Sequence, residues 1–538
     1  MKDILFFKGN RRIRRMMRGY RYLKKSNQLN KIQLVKEALT NTVLNVCQGR
    51  VSRYVFGAAT SDAELALRQY LLLHIGGLGF NKSLLYALGK ENAKIIHPLP
   101  SEWQDVLSDH GLKVAKFRST FIWYCYILLL FLYGIICFIR HLYKNLINIV
   151  KNIPNDPSQN YAYFYGITKS NIPSNNKSKK KYDIISWYCK SIGDSKKIDS
   201  IFHSVSGIET RYTEGVPVNY QPLPIPFFSS YRELVSFSIY TIFIICYSFL
   251  DIFRGRWWHA LILKETVFAS SIRFLKHKKL ASEYMFSNSS WFYRPLWTYE
   301  AEKAGSKISF YFYSTNVEQF RRSDGSKGIT YGWQAANWPH YLVWDTFQID
   351  FIRETIDTNA SIEVVGNICF NSAEEELIEL PSNTIAVFDV QPARDSFFQI
   401  LGADSDYYTP FTSRNFLVDI YEILKEKDIT LALKRKRRVD SSIHPKYKYL
   451  IKEFKKKSHY IEIDPDVAVH RLIEESHAVI SMPFTSTALI GRELNKPSIY
   501  YDSLGFIGKN EPAAHGIEVI SGKNELREWM NSYYKLAS

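Results

Sequence analysis

The segment Ser481-Met-Pro-Phe-Thr-Ser-Thr-Ala-Leu-Ile-Gly-Arg-Glu-Leu-Asn-Lys-Pro-Ser-Ile-Tyr-Tyr-Asp502 reads as strand end, hydroxyl-rich turn, helix and second strand. Strands joined through a helix run parallel, so this stretch commits its part of the chain to an α/β sheet. Val479-Ile480 end an apolar run, Pro483 breaks it, and Thr485, Ser486 and Thr487 stand where a helix through Ala488-Leu489-Ile490 begins. Hydroxyls and free N–H groups at a helix start favour a phosphate or carboxylate. Thr485 or Ser486 also reads as a plain N-cap, and the turn by itself does not separate the two roles.

The same alternation extends over the second half. Strands are expected at Ile308 to Tyr313, Ile362 to Val365, Ile385 to Asp389, Thr430 to Leu433, Tyr460 to Ile463 and Ala478 to Ser481. Helices are expected at Tyr341 to Ile352, Asn415 to Lys425, Lys446 to Lys456 and Val467 to Glu475. This spacing predicts a parallel, doubly wound sheet, whose ligands sit beyond the carboxyl ends of the strands. In the first half, Tyr70 to Gly79 reads as a strand entering a glycine turn, then a helix from Lys82 to Leu88 and a short strand Lys94 to Pro98. Tyr161 to Tyr165 and Tyr182 to Tyr188 are further strand-like runs.

Two apolar segments interrupt that pattern. Phe121 to Ile139 is nineteen residues without a charge, flanked by Lys113, Lys116 and Arg118 and by Arg140 and Lys144. That is long enough to cross a bilayer. Leu234 to Leu250 is shorter, bracketed by Arg232, Arg254 and Arg256, with Trp257-Trp258 at an interfacial position. Were both to cross, Lys177, Lys179, Lys180 and Lys181 between them would lie outside, against the positive-inside rule. Helices that dip into or lie on the inner leaflet are therefore preferred over a two-span hairpin, with buried core helices as the remaining alternative.

At 538 residues with 46% apolar, the chain holds more than one core. Its net charge of +18 is front-loaded, with ten Lys/Arg and one Asp in Met1 to Lys25, and such a segment seeks an anionic surface. No nucleic-acid signature follows it, so an anionic membrane is expected and nucleic acid is not. Cys47, Cys125, Cys137, Cys189, Cys246 and Cys369 show no CxxC spacing and read as reduced thiols. No apolar stretch with a small-residue cleavage site follows the basic N-terminus, so no export signal is predicted.

The strand ends of the second half bring selected chemistry together. The first delivers Asp389, Gln391 and Arg394, and the next delivers Lys434-Arg-Lys-Arg-Arg438. The third delivers Asp464-Pro-Asp466, the fourth Ser481 to Thr487, and the fifth ends in Asp502. Basic side chains, hydroxyls and scattered carboxylates at neighbouring strand ends suit a nucleotide phosphate with a sugar acid. Asp404-Ser-Asp406 and Asp464-Pro-Asp466 spell DxD, but no further ligand is spaced to complete a site, and no catalytic metal or cofactor is expected. Trp333, Trp338 and Trp344 are expected in the core or between domains.

FDVQPAR (388–394), LKRKR (433–437) with His444-Pro445, IDPD (463–466) and SMPFTSTALIGRELNKPSIYYD (481–502) resemble bacterial surface-polysaccharide glycosyltransferases of the GT-B type. The similarity runs from about Ile308 to Trp529 and is nearest to enzymes using CMP-activated ulosonic acids, the retaining β-Kdo and pseudaminic acid transferases. It implies a GT-B-like α/β fold of two Rossmann-like domains, with membrane-associating helices set into the N-terminal half. The expected boundaries are a basic segment 1–42, an acceptor domain 43–375 with apolar segments 119–140 and 234–258, and a nucleotide-sugar domain 376–538. It further implies that Ser481, Thr485, Ser486, Thr487, Lys434, Lys436, Arg437, Gln391, Arg394 and Asp502 surround the CMP donor. Asp389 would attack the anomeric carbon, unless it only caps the turn into Pro392, and Glu318 is the candidate general acid. The acceptor would be a lipid-linked glycan at the cytoplasmic face of the bacterial inner membrane. A polymerase transferring glycerol or ribitol phosphate from a CDP donor, and a non-catalytic assembly protein, are the alternatives.

Overall fold

The computed structural model describes residues 11–26, 30–46, 60–76, 78–88, 93–151, 160–174, 182–192, 198–275, 280–288, 293–315, 333, 336–356, 359–371, 376–393, 407–436, 438 and 443–537. Its frame is a pair of sheets. The first contains β1 (Tyr161–Phe164), β2 (Ser200–His203), β3 (Arg211–Thr213), β4 (Val216–Tyr220), β5 (Glu283–Ser287), β6 (Lys307–Tyr311), β7 (His340–Val343) and β8 (Ser361–Val364). They lie in the order β3-β4-β2-β1-β5-β6-β7-β8, and every pair is parallel except the β3-β4 hairpin. The second contains β9 (Thr384–Phe388), β10 (Thr430–Lys434), β11 (Tyr460–Ile463), β12 (Ala478–Ser481), β13 (Ser498–Asp502) and β14 (Glu518–Ser521). Its order is β11-β10-β9-β12-β13-β14, parallel throughout.

Both orders are doubly wound. The chain builds outward from a central strand on one side, then returns to that strand's other edge and builds the opposite way. The direction reverses between β1 and β5 in the first sheet and between β9 and β12 in the second. Helices consequently cover both faces, so β9 (TIAVF) and β12 (AVIS) are buried at every position and read as unbroken apolar runs. Two Rossmann-like sheets with ligand crevices at their reversal points are the GT-B-like architecture expected from the sequence.

Four local expectations fail for stated reasons. Tyr70 to Gly79 lies in and beyond the helix Thr60–Gly76, where Leu71, Leu72 and Ile75 are all buried, and a short apolar run does not reveal its period. Lys94 to Pro98 makes only a single bridge, Ile95 to Val114. Tyr182 to Tyr188 turns into the helix Ile184–Ser191 because Asp183 caps it, accepting from the Ser186 N–H at 2.9 Å. Tyr341 to Ile352 splits into β7 and the helix Thr346–Ile356, with Asp345 accepting from the Gln348 N–H at 3.1 Å where the helix starts.

The apolar segments form helices Lys116–Val150 and Tyr231–Phe253, each long and apolar enough to cross a membrane. A Ser230/Glu233 capping box starts the second. Along the first, Trp123, Ile127, Phe131, Gly134, Phe138, His141 and Asn145 are buried, a stripe repeating every three or four residues. The stripe meets the partner helix through Phe131–Phe249 (5.9 Å) and Phe138–Phe237 (5.7 Å). It also meets the helix Leu263–Phe274, where a Cβ on Gly134 would come within 2.8 Å of the Leu263 side chain. The pair thus lies along the first domain with its other face bare: Leu129 is 65% and Ile239 66% exposed.

Candidate functional site between the two sheets

The reversal point of the second sheet is where the hydroxyl turn sits. Ser481 ends β12 in register with Phe388 at the end of β9, and the Met482 N–H still donates to the Phe388 carbonyl at 2.8 Å. The chain then turns into the short helix Thr487–Glu493. Ser481 Oγ lies 2.7 Å from Thr487 Oγ1, which lies 3.0 Å from Thr485 Oγ1, so three hydroxyls form one chain. The turn is braced from outside. Tyr500 donates to the Thr485 carbonyl at 2.8 Å, and Tyr408 donates to the Pro483 carbonyl at 2.6 Å while accepting from the Phe484 N–H. Gly491 lets the helix press onto the sheet: a Cβ there would lie 2.2 Å from Ser498 Oγ. Thr485, Ser486 and Thr487 remain half-exposed above this support.

The first sheet closes the other side. Ser486 Oγ donates to Ser314 Oγ at 3.1 Å and accepts from the Thr315 N–H at 3.2 Å, both residues following β6. Lys436, just past β10, places its ammonium 5.7 Å from the ring centroid of Tyr313, which itself stacks on Phe370 at 4.6 Å. A second tie lies beside this contact. His515 Nδ1 is 2.8 and 2.9 Å from the oxygens of Asp345, and Arg492 donates to the His515 carbonyl at 2.7 Å. Hydroxyls and one lysine from the second sheet therefore face hydroxyls and an aromatic ring from the first.

The other expected site residues divide. Lys434 is buried and donates to the Pro465 carbonyl at 2.9 Å, and burial pulls its ammonium down to about 8. It supports the IDPD loop rather than facing the cleft. Asp502 is a correction: fully buried, it accepts from Tyr407 and the Leu504 N–H on one oxygen and from the Ile507 N–H on the other, so it organises its own turn. Gln391 is half-buried after β9. Glu318, Arg394 and Arg437 lie outside the described residues, as does Asp404-Ser-Asp406. Asp464 and Asp466 both pair with Arg438, at 3.6 and 2.9 Å.

Asp389 is 5% exposed, and its carboxylate accepts from the Tyr447 hydroxyl on helix Pro445–Phe454. Burial raises it from 3.8 to about 6 against the opposing pull of Tyr447 and of Arg435. Strand alternation explains the placing. Ser481 is in register with Phe388, so the next residue, Asp389, points to the opposite face, towards Tyr447 and the Arg435–Glu462 pair. The expected nucleophile is thus a buried carboxylate held by Tyr447.

The sequence profile of polysaccharide biosynthesis PFTS motif proteins matches residues 237–530. The chain belongs to that family. The family's four letters stand here as Pro483-Phe484-Thr485-Ser486, the braced turn at the reversal point. No curated protein matches the chain. Among solved structures, UDP-GlcNAc 2-epimerase from Methanocaldococcus jannaschii is 11% identical, covering 70% of this chain and 92% of that one at a TM-score of 0.36. The wall teichoic acid polymerase TagF is 11% identical over 74% of this chain and 89% of that one, at 0.37. A UDP-forming trehalose-phosphate synthase from Burkholderia xenovorans is 9% identical over 70% and 92%, at 0.32. The strand orders above, not these distant likenesses, carry the description of the fold.

Around the PFTS motif, the sequence reading missed the partners supplied by the first sheet. Ser314 and Thr315 follow the apolar run of β6 directly, a hydroxyl pair at a strand end that could have been read as Ser481 was. Arg435 and Tyr447 carried no such signal, because only strand register shows that Arg435 turns away from Lys434 and Lys436.

Proposed function

We propose that the chain is a glycosyltransferase that takes a sugar acid of the ulosonic type from a CMP donor and adds it to a lipid-linked surface glycan. The observation that supports this reading best is the cleft itself, in which Ser486, Thr487 and Lys436 at the second reversal point face Ser314 and Thr315 of the first sheet. The CMP phosphate lies against the hydroxyl turn, with the ammonium of Lys436 as its counter-charge. As the bond from the anomeric carbon to the phosphate oxygen breaks, negative charge grows on the phosphate, and fixed donors and a cation placed there lower the barrier. Asp389 holds Tyr447 and the underside of the strand ends in place and does not attack the donor. Neither metal nor cofactor enters the scheme.

The bare faces of the two apolar helices rest in the inner leaflet, which brings the enzyme to an anchored acceptor. The basic helix Arg11–Lys25 adds attraction to anionic lipid.

Purified protein given CMP-Kdo, CMP-pseudaminic acid or CDP-glycerol, each with an acceptor, should release CMP from a CMP-sugar acid. Release from CDP-glycerol alone would make it a phosphotransferase, and no release from any donor would remove the enzyme reading. Intact mass after incubation with donor alone should show no adduct. A donor adduct on Asp389 would restore it as the nucleophile.

A further inference from the structure

The helix Thr487–Glu493 belongs by chain to the second sheet, yet both of its ends are bonded to the first domain. At its start, Ser486 holds the Ser314 hydroxyl and the Thr315 N–H. At its far end, Glu493 accepts at 3.1 Å from the N–H of Asn367, which follows β8, and the Arg492 guanidinium lies 3.8 Å from Asp345. A helix of this length spans only about 10 Å, so a shift at one end is felt at the other.

His515 completes the far clamp. Its Nδ1 lies 2.8 and 2.9 Å from the two Asp345 oxygens, and because carboxylate oxygens accept, Nδ1 carries the proton. The His515 carbonyl accepts from Arg492 at 2.7 Å, so one residue ties the helix end to the first domain. The two ties are unequal in strength. His515 is 1% exposed, which keeps its bond to the carboxylate away from water and salt, whereas the Arg492–Asp345 pair is long, half-exposed and contributes little.

The first domain joins the two clamps from its own side. Asp345 also accepts the Gln348 N–H where helix Thr346–Ile356 starts, which fixes its carboxylate. The adjacent Trp344, buried in the core, donates its indole N–H to the Phe312 carbonyl at 2.6 Å, and Phe312 stands two positions before Ser314. A closed circuit results: Ser486, the helix, Arg492, His515, Asp345, Trp344, Phe312 and back to Ser314.

We infer that His515 and Asp345 are positioning residues for the hydroxyl turn. By pinning the far end of its helix to the first domain, they set how closely Thr485, Ser486 and Thr487 face Ser314 and Thr315, and so how tightly the two domains together hold the donor's phosphate. Neither acts on the donor directly, and the inference rests on the phosphate reading of the turn. The competing explanation is that the pair only stabilises the seam between the domains.

His515 has a left-handed backbone, φ +52°, which glycine and asparagine both adopt readily. His515→Gly therefore deletes the imidazole without strain, and His515→Asn returns an N–H donor near the place of Nδ1. Equilibrium CMP binding to the full chain should weaken about tenfold in H515G and recover to within about threefold of wild type in H515N. Donor KM should follow CMP affinity while kcat at saturating donor holds, because donor binding repopulates the gripped arrangement. Amide hydrogen exchange of Thr487 to Glu493, which needs no ligand, should quicken about tenfold in H515G but not in H515N, with β9 and β12 unchanged. A lower melting temperature in H515G with CMP affinity and exchange at wild-type values would leave only a stabilising contact and overturn the proposal. Should H515G fail to fold, Asp345→Asn keeps an oxygen for Gln348, removes the charge, and should raise donor KM at least about threefold; an unchanged KM would count against the clamp. If the wild type binds no CMP, the phosphate reading fails, and the exchange measurement then judges the clamp by itself.

Discussion

The two reversal points share one strand order and differ in almost everything placed upon it. In the second sheet the strands β9 and β12 end in a buried carboxylate and a braced hydroxyl turn, with Lys436 alongside. In the first, β1 and β5 end in Tyr165 and Asn288 and lead to aromatic side chains and a helix with a bare apolar face. Topology therefore fixes where a crevice opens, and the residues just past the strand ends fix what it can hold. One end presents hydroxyls and a lysine, and the other presents aromatic rings. The contact of Ser486 with Ser314 and Thr315 ties the second turn to the end of β6 in the first sheet.

The sharpest way to break that division is to attack the membrane side alone. Leu129→Glu with Ile239→Glu replaces two bare apolar side chains on the two helices. Each is worth about 2 kcal/mol if buried in lipid, so affinity for anionic vesicles should drop by roughly a thousandfold. Turnover of a soluble acceptor should be unchanged, and retained vesicle binding would mean that the helices do not face lipid. Next in size is Lys436→Glu on the donor side, which removes a charge-assisted contact of about 2 to 3 kcal/mol. Its kcat/KM should fall roughly a hundredfold with vesicle binding intact, and a fall below threefold would take Lys436 out of the phosphate site.

How much of this was legible depended on the kind of signal. Fully buried parallel strands write themselves as apolar runs, so β9 to β13 fell close to their expected places, and the anion-suited turn at Ser481 to Thr487 was visible from its hydroxyls. The first half was harder because Leu71, Leu72 and Ile75, one buried face of a helix, are written into a short apolar run that is too brief to show its period. Direction was the other hidden quantity. The sequence shows that Asp389, Lys434 and Asp502 stand at strand ends, but only register and the bonds they make show that all three are turned to support.

A smaller effect contrasts the close helix approaches of the two regions. Gly491→Ala would set a methyl 2.2 Å from Ser498 Oγ and 2.8 Å from Val479 in packed sheet, and overpacking of that kind costs about 2 kcal/mol. Gly134→Ala meets the Leu263 side chain no closer than 2.8 Å, a milder overlap than the 2.2 Å at Gly491, and should cost about half as much. Denaturant unfolding of the two variants measures the difference. Equal costs would mean that the apolar helix is held as rigidly as the sheet.

The smallest effect concerns the ionisable layer that lies under the second crevice. Asp389 is raised from 3.8 to about 6, so between those values the folded chain holds a proton that the unfolded chain has released. Ionised Asp389 thus costs stability above about pH 6, and the cost is relieved as pH falls through that value. The shift corresponds to about 3 kcal/mol at most. Asp389→Asn removes the charge but weakens the bond from Tyr447, which offsets part of the gain. The net expectation is about 1 to 2 kcal/mol of added stability at pH 8, fading to none near pH 4. Measuring denaturant midpoints across that range checks both size and sign. A variant that loses stability at pH 8 would show that Tyr447 and Arg435 more than compensate the buried charge, and Asp389 would then be a paid-up anchor of the strand ends instead of a strained one.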